Sequence, residues 1–160
     1  MPPIIRIDNL TKKFGNLVAV EHLNLDVEDG EILGFLGPNG AGKTTILLML
    51  ITVIKPTEGT ALIGSYDVTR EPDKARTLVG MCFQEPKLLW VSTPWDVLDW
   101  HSKVCGLSTD ERKKRVRWAL EELELWNERH KSIHTFSGGM RKRVEIAKIL
   151  IQRPKIAIID

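Results

Sequence analysis

The chain has 160 residues, 42 % of them hydrophobic and 28 % charged, the balance of an ordinary globular protein with room for one domain and its core. Its formal net charge of +2 is too small to indicate nucleic acid or an anionic membrane surface as a partner. Cys82 and Cys105 make neither a disulfide framework nor a metal-ligand pattern. The most apolar segment, residues 46–54, is only about half as long as a membrane span.

The first part of the chain predicts short strands separated by turns. Residues 4–7 and 17–20 are rich in β-branched residues and flank the turn pair Gly15-Asn16, and residues 23–27 alternate with period two. Residues 31–36 form an almost continuous apolar run. Such a run predicts a strand buried on both faces, as in a parallel sheet.

Further along, helices and strands alternate. The sequence predicts a buried helix over residues 44–51 and strands over residues 60–63, 78–83 and 156–160. Thr93 followed by Pro94 predicts a helix start, and a helix over residues 138–152 is expected to stop at Pro154. Strands at both ends with helices between them indicate an α/β domain that carries a helical insertion.

One predicted helix has a clear start and a clear buried face. Ser108 and Glu111 have the spacing of a capping box, and the apolar residues that follow at helical spacing are Val116, Leu120 and Leu123. Basic residues cluster over 112–115 and 141–143. We expect these two short runs to be solvated helix faces.

The most specific pattern lies at residues 37–44, which fit G-x-x-x-x-G-K-[ST] at every position, between a predicted strand and a predicted helix. Glycines let backbone N–H groups surround phosphate oxygens, and the helix N-terminus adds roughly half a positive charge. Lys43 should reach the β- and γ-phosphates, and the Thr44 hydroxyl should bind Mg²⁺. The residues predicted to contact ATP here are Gly37, Pro38, Asn39, Gly40, Ala41, Gly42, Lys43, Thr44 and Thr45.

Asp160 follows the apolar residues 156–159. A carboxylate at the end of such a strand is the Walker B arrangement, which positions Mg²⁺ through its water shell. Alone, this pattern is more often that of a strand-end turn. Because a phosphate-binding loop lies upstream, we predict that Asp160 is the Walker B aspartate.

Residues 135–143 read T-F-S-G-G-M-R-K-R. Ser137 is a candidate helix N-cap, and Gly138 and Gly139 would expose backbone N–H groups to a phosphate. In this order of motifs the sequence resembles the ATP-binding cassette (ABC) ATPases, whose signature is close to L-S-G-G-Q followed by a basic helix. Phe136 and Met140 depart from that signature, and the S-G-G-M variant resembles the ABC-2 branch, which partners drug- or antibiotic-exporting permeases.

The resemblance covers essentially the whole chain and implies an α/β P-loop NTPase core with a mostly parallel sheet, an N-terminal antiparallel β subdomain and a helical subdomain. Within a single domain over residues 1–160, we expect the nucleotide-binding core at residues 1–86 and 153–160. The helical subdomain with the signature is expected at residues 87–152. The resemblance also implies that this domain is incomplete at its C-terminus.

The resemblance further implies how ATP is bound and used. In the family, two subunits sandwich ATP head to tail, so Ser137, Gly138 and Gly139 would contact ATP held by the partner subunit. Gln84 matches the glutamine that contacts Mg²⁺ and the attacking water. The implied catalytic set is therefore Lys43, Gln84, Ser137 and Asp160. Phe14 matches the aromatic residue that stacks on adenine, although a core phenylalanine is an equally open interpretation.

The partners implied by the resemblance are a second ATPase subunit, as a homodimer, and a transmembrane permease that chooses the substrate. The chain would then lie in the cytoplasm, peripheral on the inner face of the membrane. Trp90, Trp95 and Trp100 are candidates for a surface that contacts the permease, but we expect at least two of them to pack in the core. Direct nucleic-acid binding is not expected.

The sequence also departs from the family. The glutamate that follows Walker B and the later switch histidine are both lacking, because the chain ends at Asp160 and its histidines all come earlier. We therefore expect an N-terminal fragment that is inactive and prone to aggregation. Two alternatives stay open: a soluble ABC ATPase that acts on nucleic acid or ribosomes, and a nucleotide-binding regulator without hydrolysis.

Overall fold

The computed structural model describes residues 2–83, 88 and 91–160. The chain divides into two compact units, Met1–Val79 (unit 1) and Gly80–Asp160 (unit 2). None of the helices in the described part of the chain is both long enough and apolar enough to cross a membrane.

Unit 1 is built around a four-stranded sheet with the strand order β2-β1-β3-β4 and antiparallel neighbours. Alternate residues of β1 and β3, such as Ile5, Ile7 and Ile63, are buried, as expected where one sheet face covers a core. The elements are β1 Ile5–Phe14, β2 Leu17–Val27, α1 Lys43–Leu50, β3 Glu58–Ile63, β4 Tyr66–Asp67 and α2 Pro72–Leu78.

The sequence predictions for this unit are largely confirmed. The hairpin between β1 and β2 turns at Gly15 and Asn16, and α1 begins one residue before its predicted start. The segment predicted as a separate strand over residues 23–27 is the second half of β2. Helix α2 was missed because it has only seven residues, although Pro72 at its first turn and Asp73 beside it were available as start signals.

The prediction of a buried strand over residues 31–36 is wrong for this structure. The segment belongs to no strand, and the side chains of Ile32 and Leu36 are 98 % and 97 % exposed. The apolar pattern reports a preference for burial, but a strand also needs neighbours that hydrogen bond to it. In the described part of the chain, neither of the two sheets includes this segment.

Unit 2 combines a helical cluster with a two-stranded parallel sheet. Its elements are β5 Val79–Cys82, whose first residue is the last of unit 1, α3 Pro94–Val104, α4 Thr109–Glu122, α5 Gly138–Gln152 and β6 Ile156–Ile159, with short 3₁₀ turns at Trp126–Glu128 and Ile133–Thr135. The three helices pack around a core in which Leu98, Leu120 and Ile151 are fully buried. The predicted stripe on α4 is confirmed, because Val116 and Leu120 are fully buried and Leu123 packs against the same core.

Local signals fixed the helix starts in unit 2. The Thr93 hydroxyl oxygen accepts a hydrogen bond from the Asp96 N–H, and the Asp96 carboxylate accepts one from the Thr93 N–H. Pro94 occupies the first helical position. Ser108 accepts from the Glu111 N–H at 3.4 Å, so its predicted cap is present. The other half of the predicted capping box is not seen, because the Glu111 carboxylate instead accepts a hydrogen bond from Arg115.

Candidate functional site

The glycine-rich loop at residues 37–44 in unit 1 leads directly into α1. Gly40 and Gly42 have φ angles of 82° and 81°, in the left-handed region that suits glycine. Where left-handed residues alternate with right-handed ones, successive backbone N–H groups point to the same side and form a concave site for an anion, called a nest. The first turn of α1 carries no acidic residue and no side-chain cap, so its positive end is not neutralised locally.

Gly42 is fixed by a neighbour as well as by its own conformation. A Cβ atom at this position would lie 2.3 Å from the carbonyl oxygen of Ala19 in β2. The loop therefore enters α1 against the backbone of the antiparallel sheet, and only glycine permits that approach.

The Lys43 side chain folds back over the loop that precedes it. Its ammonium group donates to the carbonyl oxygens of Gly37 and Pro38, both at 2.7 Å. A positive charge thus lies within the turn of the loop, beside the helix N-terminus. The chemistry of this group of donors fits a phosphate chain, which accepts hydrogen bonds from N–H groups and from an ammonium group.

Phe14 lies at the end of β1 and is 49 % exposed, so the interpretation as a core phenylalanine is wrong. The Lys12 ammonium lies 5.1 Å from the ring centroid and also donates to the Lys55 carbonyl at 2.7 Å. The ring is accessible enough to stack on a base. That role stays a prediction.

The signature segment begins α5 in unit 2. Ser137 is the N-cap, and its hydroxyl oxygen accepts from the Met140 N–H at 3.2 Å, as the sequence predicts. The helix runs from Gly138 to Gln152 and stops before Pro154, also as predicted. Phe136 is buried and Met140 packs against the same core. The two departures from the common signature are therefore apolar side chains that serve the packing of unit 2.

Gly138 and Gly139 have no packing reason to be glycine within this chain. A Cβ atom on Gly138 would meet no atom within 4 Å, and one on Gly139 would meet only the Ser137 hydroxyl at 4.0 Å. Neither φ angle lies in the left-handed region. Both residues are exposed. Because no side chain of the described residues covers this helix start, a ligand or another chain could approach its backbone N–H groups.

Asp160 directly follows β6 in unit 2. Its N–H donates to the Cys82 carbonyl at 3.0 Å, next to the end of β5. Because a carboxylate at a strand end is a suitable ligand for hydrated Mg²⁺, the donor type fits the predicted role. Gln84, also predicted to act here, lies outside the described residues, and so does Trp90, a candidate for the surface that contacts the permease.

The basic run 141–143 makes specific contacts, and its interpretation as a solvated face holds for the exposed Arg143 but is wrong for the half-buried Arg141 and Lys142. Arg141 donates to the Phe136 carbonyl at 2.6 Å, and Arg143 pairs with Glu124 at 3.1 Å. Lys142 donates to the Phe83 carbonyl at 2.8 Å and to an Asp160 carbonyl oxygen at 3.3 Å. Lys142 could not be identified from the sequence, because a single lysine in a basic run carries no signal for distant backbone acceptors.

The two described candidate tryptophans differ in exposure. Trp95 packs against the core of unit 2 and meets Trp126 edge to face at 6.3 Å, whereas Trp100 is 67 % exposed. Trp100 borders a groove of about 420 Å³, which we call the Trp100 groove; its other lining residues include Val97, His101 and Lys148. Burial, and then the nearby charge of Lys148, lower the pKa of His101.

A family profile described as "ABC transporter" matches residues 20–160. The chain is 36 % identical over 146 residues to the doxorubicin resistance ATP-binding protein DrrA of Mycobacterium tuberculosis, covering 91 % of this chain and 44 % of that protein. It is 36 % identical over 157 residues to the spermidine/putrescine import ATP-binding protein PotA of Nitrosomonas europaea, with 98 % and 43 % covered. The chain spans about half the length of the curated relatives it matches.

A solved structure extends the likeness to three dimensions. The dimeric post-hydrolysis structure of the ATP-binding cassette MJ0796 bound to ADP and Pi matches with a TM-score of 0.88 at 30 % identity, over 98 % of this chain and 73 % of that one.

Proposed function

This chain belongs to the ABC transporter family, and we propose that it binds Mg-ATP as part of the ATP-hydrolysing subunit of a transporter. The observation that carries the proposal is the loop 37–44, where the Lys43 ammonium lies 2.7 Å from two loop carbonyls at the uncapped start of α1. When ATP binds, its phosphate oxygens would take hydrogen bonds from the loop N–H groups and from Lys43.

Mg²⁺ would be held by the Thr44 hydroxyl and, through water, by Asp160, with Gln84 as a further ligand. The ion would supply neutralisation of the charge that develops on the transferred phosphate. The chain's own residues bind and orient the nucleotide, with Phe14 stacking on adenine.

The test measures the affinity of the full-length Lys43→Ala variant for a fluorescently labelled ATP analogue. A hydrogen bond to a charged group contributes roughly 1.5–3 kcal/mol, so affinity should fall by about 10- to 100-fold or more. Lys74→Ala is the matched control, because Lys74 lies on α2 and pairs with Glu71. Equal affinities of the Lys43 and Lys74 variants would refute the assignment.

We further propose that two copies close head to tail, so that the start of α5 binds ATP held by the partner subunit. The bare, exposed glycines at positions 138 and 139 support this arrangement, since nothing in the described chain needs them. The match to a dimeric cassette also supports it. Light scattering with and without ATP tests this arrangement by measuring the molar mass of the protein. A monomer at saturating ATP would contradict the head-to-tail dimer.

For the permease, we propose that a short cytoplasmic helix of that subunit docks at the Trp100 groove. A large apolar side chain that is 67 % exposed beside a groove favours an apolar helix face as the occupant. Trp100→Ala should then abolish stimulation of ATPase activity by the membrane subunit. Trp118→Ala is the control, because Trp118 is exposed on α4 and stacks with Arg153. Equal effects of the two substitutions would exclude the groove.

Export is the direction that we propose, with the subunit on the inner face of the membrane. The S-G-G-M signature favours the exporting branch, and a drug-resistance protein is among the relatives, although an import protein is similar to the same degree. ATP-dependent accumulation of doxorubicin in inside-out vesicles that carry the complex would support export. Accumulation of spermidine in right-side-out vesicles loaded with ATP would instead indicate import.

A further inference from the structure

Lys142 connects the helix that begins at the signature with the ends of two strands in unit 2. Its ammonium group lies 2.8 Å from the Phe83 carbonyl oxygen and 3.3 Å from an Asp160 carbonyl oxygen. Those two acceptors are 59 and 18 residues away along the chain. The strand ends are also joined directly, by the Asp160 N–H to the Cys82 carbonyl at 3.0 Å.

The neighbouring basic residues make a different kind of contact. Arg141 bonds to the Phe136 carbonyl, and Arg143 bonds to Leu123 and Glu124, all within the helical part of unit 2. Lys142 bonds to the residues that directly follow β5 and β6. Its side chain is half-buried, where a charge needs partners and where hydrogen bonds to it are strong.

Each of the two carbonyls belongs to a residue at, or next to, a predicted catalytic residue. Phe83 directly precedes Gln84, and Asp160 is the Walker B aspartate of the proposed function. A lysine that holds both carbonyls therefore fixes the backbone at Phe83 and at Asp160. Ser137, the cap of the same helix, lies five residues before Lys142.

We propose that Lys142 is a positioning residue for ATP hydrolysis: it holds the backbone at Phe83 and Asp160, directly after β5 and β6, in register with α5. The inference rests on the proposed ATPase function. In this role Lys142 itself contacts no nucleotide. Its loss should therefore slow the chemical step and leave the binding of ATP to the loop 37–44 unchanged.

The test compares Lys142→Met, which keeps the aliphatic stem, with Lys142→Arg, which keeps the charge, in the full-length protein. We expect kcat to fall about tenfold or more in Lys142→Met, ATP affinity to stay within about twofold, and Lys142→Arg to recover most of the rate. Arg143→Met is the control, because Arg143 lies on the same helix but is exposed and bonds to Leu123 and Glu124. Its kcat should stay close to that of the unsubstituted protein.

Hydrogen exchange supplies a readout independent of activity. In Lys142→Met the amides around residues 82–83 and 160 should exchange faster, while those of α3 and α4 should not. A general rise in exchange, or an unchanged kcat, would overturn the inference. If Lys142→Met does not fold, the same measurements on Lys142→Gln decide, because that shorter side chain cannot span both carbonyls. A failure of the proposed function is distinct: the unsubstituted protein itself would then bind no ATP.

Discussion

Gly42 lies so close to Ala19 that a Cβ atom on Gly42 would stand 2.3 Å from the Ala19 carbonyl oxygen. Gly40, in the same loop and with nearly the same φ angle, has open space where its Cβ would be. The two positions therefore separate the effect of backbone conformation from the effect of a steric clash.

Gly42→Ala should lower the free energy of unfolding by at least about 2 kcal/mol, because it combines a left-handed conformation with a backbone clash. Gly40→Ala should cost only about 1 kcal/mol, the conformational part alone. Urea denaturation of both variants checks this expectation. Equal losses would mean that the approach of β2 does not restrict Gly42.

Gly138→Asp should separate folding from catalysis. An acidic residue in the first turn of α5 interacts favourably with the helix dipole, and no atom lies near enough to clash, so stability should be kept or slightly raised. The same carboxylate would repel the phosphates of ATP held by a partner subunit, so ATPase activity should fall at least about 100-fold.

The matched control for that variant is Thr109→Asp, which places the same charge in the first turn of α4. We expect the control to retain its ATPase activity. Thermal unfolding and steady-state ATPase assays on both variants check the prediction. A Gly138→Asp protein with normal turnover would show that no phosphate approaches this helix start.

The ion pair between Asp99 on α3 and Arg112 on α4 should contribute measurably to stability. Its side chains are 33 % and 17 % exposed, and the guanidinium contacts both carboxylate oxygens, at 3.0 and 3.4 Å. Asp99→Ala should cost about 1–2 kcal/mol, between the values for exposed and buried pairs. Glu121→Ala, which breaks the more exposed pair with Arg117, should cost less than about 0.5 kcal/mol in the same urea titration.

Because of His101, we expect the free energy of unfolding to fall on mild acidification. Burial and then Lys148 lower its pKa, so the unfolded chain takes up a proton more readily than the folded one. The contribution of this group to stability is present above the unfolded pKa of about 6.5 and is lost as pH falls through the folded pKa. His101→Gln should therefore reduce the difference in unfolding free energy between pH 7.5 and 5.5. An unchanged difference would contradict this.

Features that depend on neighbouring residues in the chain could be predicted from the sequence. The cap at Ser137 and the stop before Pro154 fix the bounds of α5, and the loop 37–44 is a contiguous pattern. Features that depend on distant partners could not. Residues 31–36 have the composition of a strand but no strand beside them in the described chain, and the acceptors of Lys142 are backbone atoms, which leave no trace in the sequence.

The open space around Gly138 also has a genetic consequence. Given the proposed head-to-tail pairing, a chain altered there would fold, accumulate normally and load ATP into its own loop, yet fail to complete the site of its partner. In a cell that makes both forms in equal amounts, most pairs would contain at least one altered chain. Such an allele would therefore be dominant, whereas an allele that prevents folding would be recessive.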